Sequence, residues 1–457
     1  MAWTANISWR DALAVYRHPR VIAMLFLGFS AGLPFLLVFS TLTAWLRTEE
    51  ISRTAIGFFA WVGITYSIKV FWAPIVDRAP LPFLTRLLGK RRSWMLLAQI
   101  GIAAGLLGMS TTDPTVDLGQ VAWLALLVAF SSATQDITID AYRIEAVSKE
   151  RQAAMAATYI LGYRLALLVA GAGAFYIADY MSWSAAYLTM AMLMLVGMAT
   201  VLIIREPDHS RAHENVMLEE RVVRFMQRSV HLPGHLRAAM AWFIGAIVCP
   251  FADFFSRNGV LAIVILVFVG VFRLSDITMG IMANPFYLDI GFSLSEIGSI
   301  VKVFGFFMTI AGSALGGILV MRYGIMRPLL LGAVMVAATN LLFAFMASVG
   351  RDLTLLTLVI SADNLSGGLA NAVFIAYLSS LTNQAYTATQ YALFSSLMTL
   401  PGKFISGFSG VIVDGFGYVS FFIYAAAIGI PAILLVLYLM QRMNIDDSRT
   451  QTATLPR

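Results

Sequence analysis

Cysteine is almost missing from this chain: Cys249 stands alone among 457 residues. A single thiol excludes an intramolecular disulfide and leaves no room for a cysteine-based metal site. Charge is scarce too. Charged residues make up 12% of the sequence, against roughly 25% in an ordinary soluble domain. Histidine avoids the apolar segments: His18, His209, His213, His231 and His235 all fall in tails or connections. Without a GxxxxGK[ST] phosphate loop, an ATP-driven pump with its own nucleotide domain is excluded. Neither the arginine ladder of a voltage sensor nor a TVGYG filter is found. No HExxH pair and no GxSxG nucleophile elbow is read, so nothing marks an enzyme, and no cofactor or metal is expected.

Apolar length is what the chain has in quantity. It is 59% hydrophobic, and runs of about 20 residues, each able to cross the hydrocarbon core as a helix, recur from end to end. The fold expected is an all-α polytopic membrane protein with about twelve spans, near 21–46, 54–77, 93–112, 119–142, 152–178, 183–204, 258–288, 295–320, 328–349, 354–382, 386–413 and 417–441. The opening MAWTANISWRDALAVYRHPR is polar and basic, and the run after it is too long for a signal peptide.

Lysine and arginine set the orientation. Arg10, Arg17 and Arg20 precede the first span, and Arg78, Arg86, Lys90, Arg91 and Arg92 follow the second. Lys149 and Arg151 follow the fourth, and six arginines from Arg205 to Arg237 fill the middle loop. The opposite loops TTDPTVDLG and YLDIGFSLSE have none, with Arg47, Arg53 and Arg351 as exceptions. Both termini are therefore expected in the cytoplasm. The net charge of +6 is explained by lipid headgroups and this topology, not by nucleic acid.

Four regions are expected: a six-helix half (1–205), a cytoplasmic middle loop (206–257), a second six-helix half (258–441) and a cytoplasmic tail (442–457). Within the loop, LRAAMAWFIGAIVC (236–249) is too short to span comfortably and reads as an interfacial segment; a thirteenth span is the rival. PIVDRAP and GKRRSW in the first half, and GGILVMRYGIMRP in the second, both place an arginine-rich turn after the second helix of a half. Two halves repeated in parallel fit the major facilitator architecture. Asp77, Arg78, Arg91, Arg143 and Arg322 are the candidates for a cytoplasmic gate.

A charge at bilayer depth costs about 2.5–3.5 kcal/mol on insertion scales, so it should face a cavity or a partner. The charges within spans are Lys69, Asp136, Asp140, Arg164, Arg273, Asp276, Lys302, Asp363 and Lys403. Asp136, Asp140 and Arg143 share one face of the fourth span, and Arg273 and Asp276 are spaced to pair within one helix. Lys302, Asp363 and Lys403 form a cluster if their helices face one another. Since no histidine lies in a span, carboxylates must carry any coupled proton: Asp136, Asp140, Asp276 and Asp363. Gln135, Tyr163 and Asn364 are placed to hydrogen-bond a polar solute. Glycines and prolines in the spans serve close packing, and Gly367–Gly368 and Pro401–Gly402 are further candidates for opening backbone groups to a cavity. Such ion pairs also serve simply to pin helices, and that reading stays open.

These residues bring a family into view. GFSAGLPFLLVFSTLTAWL, IGFFAWVGITYSIKVFWAPIVDR, GKRRSWMLLAQI, SSATQDITIDAYR, LGYRLALLVAGAGA, RLSDI, DNLSGGLANAVFIAYLSSL and TATQYALFSSL together resemble the AmpG muropeptide permeases of Gram-negative bacteria, a branch of the major facilitator superfamily. The resemblance covers roughly 15–441. By position it highlights Lys69, Gln135, Asp136, Asp140, Tyr163, Arg164, Asp276, Lys302, Asn364 and Lys403. Departures are Asp363 where a glutamate is expected, a longer middle loop, and a chain that stops after the twelfth span where some members continue.

The resemblance implies a monomeric importer in the bacterial inner membrane, powered by the proton gradient and working by alternating access. Its cargo would be anhydro-muropeptides, GlcNAc–anhydro-MurNAc fragments carrying a short peptide. Import would feed peptidoglycan recycling and the signal that induces AmpC β-lactamase. Lys69, Arg164, Lys302 and Lys403 would attract the peptide carboxylates; Gln135, Tyr163 and Asn364 would touch sugar or peptide. The QDI-x-x-D element also resembles the acetyl-CoA transporters, which keeps another anionic cargo as the alternative. A transporter-like sensor and a drug exporter are further alternatives, the exporter disfavoured by the basic residues within the spans.

Overall fold

The structure, a computed structural model, describes residues 15–146, 152–207, 220–229, 233–244, 248–381 and 387–453. Every regular element among them is helical. Among the described residues, ten helices are long and apolar enough to cross a membrane: Pro19–Thr48, Lys90–Thr111, Leu118–Arg143, Ala154–Tyr180, Trp183–Ile203, Leu261–Ile290, Leu294–Val320, Met326–Val349, Leu353–Leu381 and Ser409–Arg442. Two further stretches correspond to the remaining two of the twelve expected spans. The eleventh span is the helix Thr387–Ser406. The second, expected near 54–77 as one helix, is a string of short α and 3-10 turns from Arg53 to Arg78, and Pro74 sits in the first turn of the last of them, Ala73–Arg78.

Local signals explain the helix limits. Asp117 caps the fourth span by accepting from the Gln120 amide at 2.8 Å, and Ser182 caps the sixth through Ala185. Ser293 and Glu296 form a reciprocal capping box at the start of the eighth. The twelfth helix is interrupted at Gly417, whose φ of 78° suits glycine. Around the 236–249 stretch the helix Gly234–Phe243 is 10 residues long and another helix runs Cys249–Asn258; residues 245–247 between them lie outside the described residues.

Contacts divide the chain into two units, residues 1–209 with 284–303, and residues 210–283 with 304–457. In the first, Val21, Met24, Leu27, Met95, Ile139, Tyr142, Met155 and Val201 form a buried cluster. The first and fifth spans pack backbone to backbone: a Cβ on Gly162 would collide with the Leu25 carbonyl, and one on Gly28 with the Tyr159 carbonyl. Small residues permit this approach where lipid removes the hydrophobic drive between helices. In the second unit Phe272 stacks on Phe374, centroids 4.1 Å apart, within a core that includes Phe268 and Tyr377. There the eighth and tenth spans approach through Gly312 and Gly368, each against the other helix's backbone. The helix Leu353–Leu381 is continuous, so Gly367–Gly368 does not interrupt it: Gly368 serves the packing, while a Cβ on Gly367 would meet nothing within 4 Å.

Candidate functional site

The fourth span is one 28-residue helix, Leu118–Glu145, and carries the densest polar stripe of the first unit. Opposite it, the broken second span presents Lys69 from a 3-10 turn. Lys69 Nζ lies 3.4 Å from Asp136 Oδ2, with side-chain exposures of 34% and 20%. The pair is reachable rather than sealed. One turn away, Trp72 Nε1 donates to Thr134 Oγ1 at 3.1 Å. Arg143, expected on the same face as both aspartates, pairs with Asp140 at 3.2 Å. Its Nε is buried without a partner. Gln135, the residue before Asp136, is fully buried, with neither amide atom hydrogen-bonded among the described residues.

The fifth span supplies Tyr163, whose ring lies 6.1 Å from that of Tyr159. The next residue, Arg164, is half-buried and has no hydrogen-bond or ion-pair partner among the described residues. Further along, this span widens into a π-helical turn, Val169–Gly173, and the eighth span begins with another, Ile297–Phe304. The two meet at Lys302: a Cβ on Gly171 would lie 3.6 Å from its Cδ. Lys302 Nζ donates to Ser40 Oγ and Asn284 Oδ1, each at 3.3 Å, and stands 5.1 Å from the Phe175 ring centroid. Asn284 also donates to the Ser40 carbonyl. No carboxylate neutralises Lys302 among the described residues.

In the second unit Arg273 and Asp276 pair within the seventh span, as their spacing predicts, and Arg273 reaches Asn371 at 3.3 Å. These groups line a cavity of about 20 Å³, room for one water molecule. Asp363 accepts from Thr339 Oγ1 at 3.2 Å, and Asn364 Oδ1 accepts from Thr309 Oγ1 at 2.9 Å. Lys302 finds its partners in the first unit and Asp363 in the second; Lys403 is half-buried on the eleventh span. An acid and an amide are adjacent in the fourth span of each half, Gln135–Asp136 and Asp363–Asn364. In each half the neighbouring second helix answers them, with Lys69 in one and Thr309 in the other.

The gate candidates separate. Arg91 is buried and bonds Glu145 through two nitrogens, at 2.7 and 3.1 Å. Glu206 accepts from the backbone amides of Arg91 and Arg92, anchoring the start of the third span. Arg143 stays with Asp140, and Arg322 lies over Tyr323 at 5.8 Å. Asp77 and Arg78 belong to the helix Ala73–Arg78, and their side chains lie outside the described residues. Asp289 was not anticipated. It binds Arg47, and Arg53 at 2.7 Å, so two of the arginines that broke the loop-charge pattern are structurally held. That anomaly was the available signal. Asn284, Glu145 and Glu206 gave none, since each acts through a partner distant in sequence. The letters GxSxG do occur, at Gly28–Gly32, but they lie inside a helix and Ser30 donates to the Leu27 carbonyl at 2.9 Å. This is no elbow.

The family described as the Major Facilitator Superfamily matches residues 24–404. The anhydromuropeptide permease of Escherichia coli strain K12 is 32% identical over 434 residues, covering 94% of this chain and 82% of that protein. Among solved structures, a nucleoside transporter, NupG, superposes with a TM-score of 0.66 at 14% identity, over 92% of this chain and 98% of that one. A D-xylose–proton symporter gives 0.65 at 12% identity, over 93% and 97%. These structures bear on the fold alone.

Proposed function

Because the chain belongs to the major facilitator superfamily of membrane transporters, we propose that it imports anhydro-muropeptides across the bacterial inner membrane into the cytoplasm. The observation that carries this reading is a set of polar groups within the spans that the described residues satisfy incompletely. They are the Gln135 amide and the Arg164 guanidinium, which find no partner there, and the Lys302 ammonium, which is held by Ser40 and Asn284 without a carboxylate. Such groups are costly in a low-dielectric interior unless a ligand completes them. A muropeptide brings the complements: peptide carboxylates for Arg164 and Lys302, and N-acetyl, hydroxyl and amide groups for Gln135. The name of the Escherichia coli relative supports the same cargo.

Proton coupling is assigned first to the Lys69–Asp136 pair. Protonating Asp136 removes the attraction that ties the second span to the fourth, and the partial exposure of both groups gives water access. Asp140, Asp276 and Asp363 are the remaining carriers. Imported fragments would feed peptidoglycan recycling and β-lactamase induction. The test is uptake of radiolabelled GlcNAc–anhydro-MurNAc–tripeptide into proteoliposomes, with and without an inward proton gradient. Uptake should rise with the gradient in the wild type and lose that dependence in Asp136→Asn. No uptake by folded protein sinks the cargo, and acetyl-CoA would be assayed next. Gradient-driven uptake by Asp136→Asn removes Asp136 from the coupling.

A further inference from the structure

We propose that the first unit binds an anionic phospholipid in a groove between the first and sixth spans, at their arginine-rich ends. The groove holds about 830 Å³, within the range of small-molecule sites and far more than a lone phosphate needs. Its walls are apolar: Ile22 and Phe26 on one helix, Val196 and Ile203 on the other. Ile22, Phe26 and Ile203 are each more than two-fifths exposed. The polar groups gather at one end, where Arg20 and Arg205 line the mouth beside His18. The groove follows the first helix from Pro19 to Phe26, about 10 Å at a helical rise of about 1.5 Å per residue. That depth takes the upper part of an acyl chain.

The arginines are available to a phosphate. Arg205 is exposed, and its side chain has no hydrogen bond or ion pair among the described residues. Arg20 gives one N–H to the Ala146 carbonyl and keeps the rest of its fork. Arg17, exposed and directly preceding the lining residue His18, adds a third positive charge. The neighbouring acid, Glu206, is turned to the amides of Arg91 and Arg92. A mouth of guanidinium groups above an apolar slot matches a phosphate headgroup with a hydrocarbon tail. A zwitterionic lipid would bring its own cation to the same place. The site is independent of the cargo, so its test stands whatever is transported.

The experiment is native mass spectrometry of the full-length protein in detergent, titrated with dioleoyl-phosphatidylglycerol or dioleoyl-phosphatidylcholine. The expected result is one retained phosphatidylglycerol, bound about tenfold more tightly than the choline lipid. Arg205→Gln should weaken it about fivefold, the share of one arginine near a phosphate surface. Ala199→Trp, which fills the exposed groove wall, should abolish it; both variants must elute and melt as the wild type does. Equal binding of the two lipids overturns the proposal, as does undiminished binding by Ala199→Trp. Displacement by inorganic phosphate alone would make this a free-anion site and overturn the lipid assignment. A variant lacking residues 1–14 that gains a lipid the full chain does not hold would name that segment as the occupant instead.

Discussion

Gln135 is 0% exposed, yet neither end of its amide finds a partner among the described residues. An unsatisfied buried polar group costs about 1–3 kcal/mol, and a protein keeps that cost only where something else uses the group. Gln135→Met preserves length and removes both polar atoms. It should leave the protein as stable or more stable, by on the order of 1 kcal/mol, while uptake of the muropeptide falls through a raised KM. A thermal melt in detergent beside an uptake titration checks both halves. Lower stability with unchanged uptake would make Gln135 a framework residue. Its candidacy was legible in the sequence because a glutamine beside an aspartate inside an apolar run is already an expense. That its amide stays unanswered was not legible, because satisfaction depends on what neighbouring helices supply. Arg143 illustrates the limit: helical spacing put it on the face of Asp136, and its shorter arm to Asp140 was taken instead.

At the scale of elements, the second span is where sequence reading and structure part. Hydropathy reports length and polarity, and a string of α and 3-10 turns from Arg53 to Arg78 has the same hydropathy as one continuous helix. The broken segment packs against the fourth span, where Lys69 and Trp72 reach Asp136 and Thr134. If the pair holds these elements together, the effects of removing its members are not additive. Lys69→Met and Asp136→Asn should each destabilise the protein, and the double variant should lose less than the sum, with a coupling of about 0.5–3 kcal/mol. The reason is that each single change strands the other charge at depth. Additive losses in melting experiments would show that the two groups act separately. The paired π turns at Val169–Gly173 and Ile297–Phe304 were equally hidden, since no residue pattern distinguishes a π turn from an α turn. Only their meeting around Lys302 reveals that this lysine is held by Ser40 and Asn284, with no carboxylate on it among the described residues.

For the molecule as a whole, twelve spans and two repeated halves were readable from apolar run length and from arginine placement, because both follow from the thickness and charge of a bilayer. The association of 284–303 with the first six spans was not. It rests on Asn284, Asp289 and Lys302 meeting Ser40, Arg47 and Arg53, contacts more than 230 residues apart in the chain. Those contacts bear on orientation. With Arg47 and Arg53 engaged by Asp289, two of the three exceptions to the loop-charge rule have a structural use. From the remaining basic loops the chain ends are expected in the cytoplasm. The lone cysteine allows a direct check, because Cys249 is buried at 2% exposure and the wild type should resist a membrane-impermeant maleimide. Val116→Cys, in the loop after the third span, and Leu87→Cys, in the loop after the second, sit at positions 83% and 73% exposed. Applied to cells with a permeabilised outer membrane, the reagent should label Val116→Cys at once. It should reach Leu87→Cys only after the inner membrane is opened. The reverse pattern would invert the topology and make export the direction to measure first. Labelling at both positions would show that one of the two loops does not lie where its charge predicts.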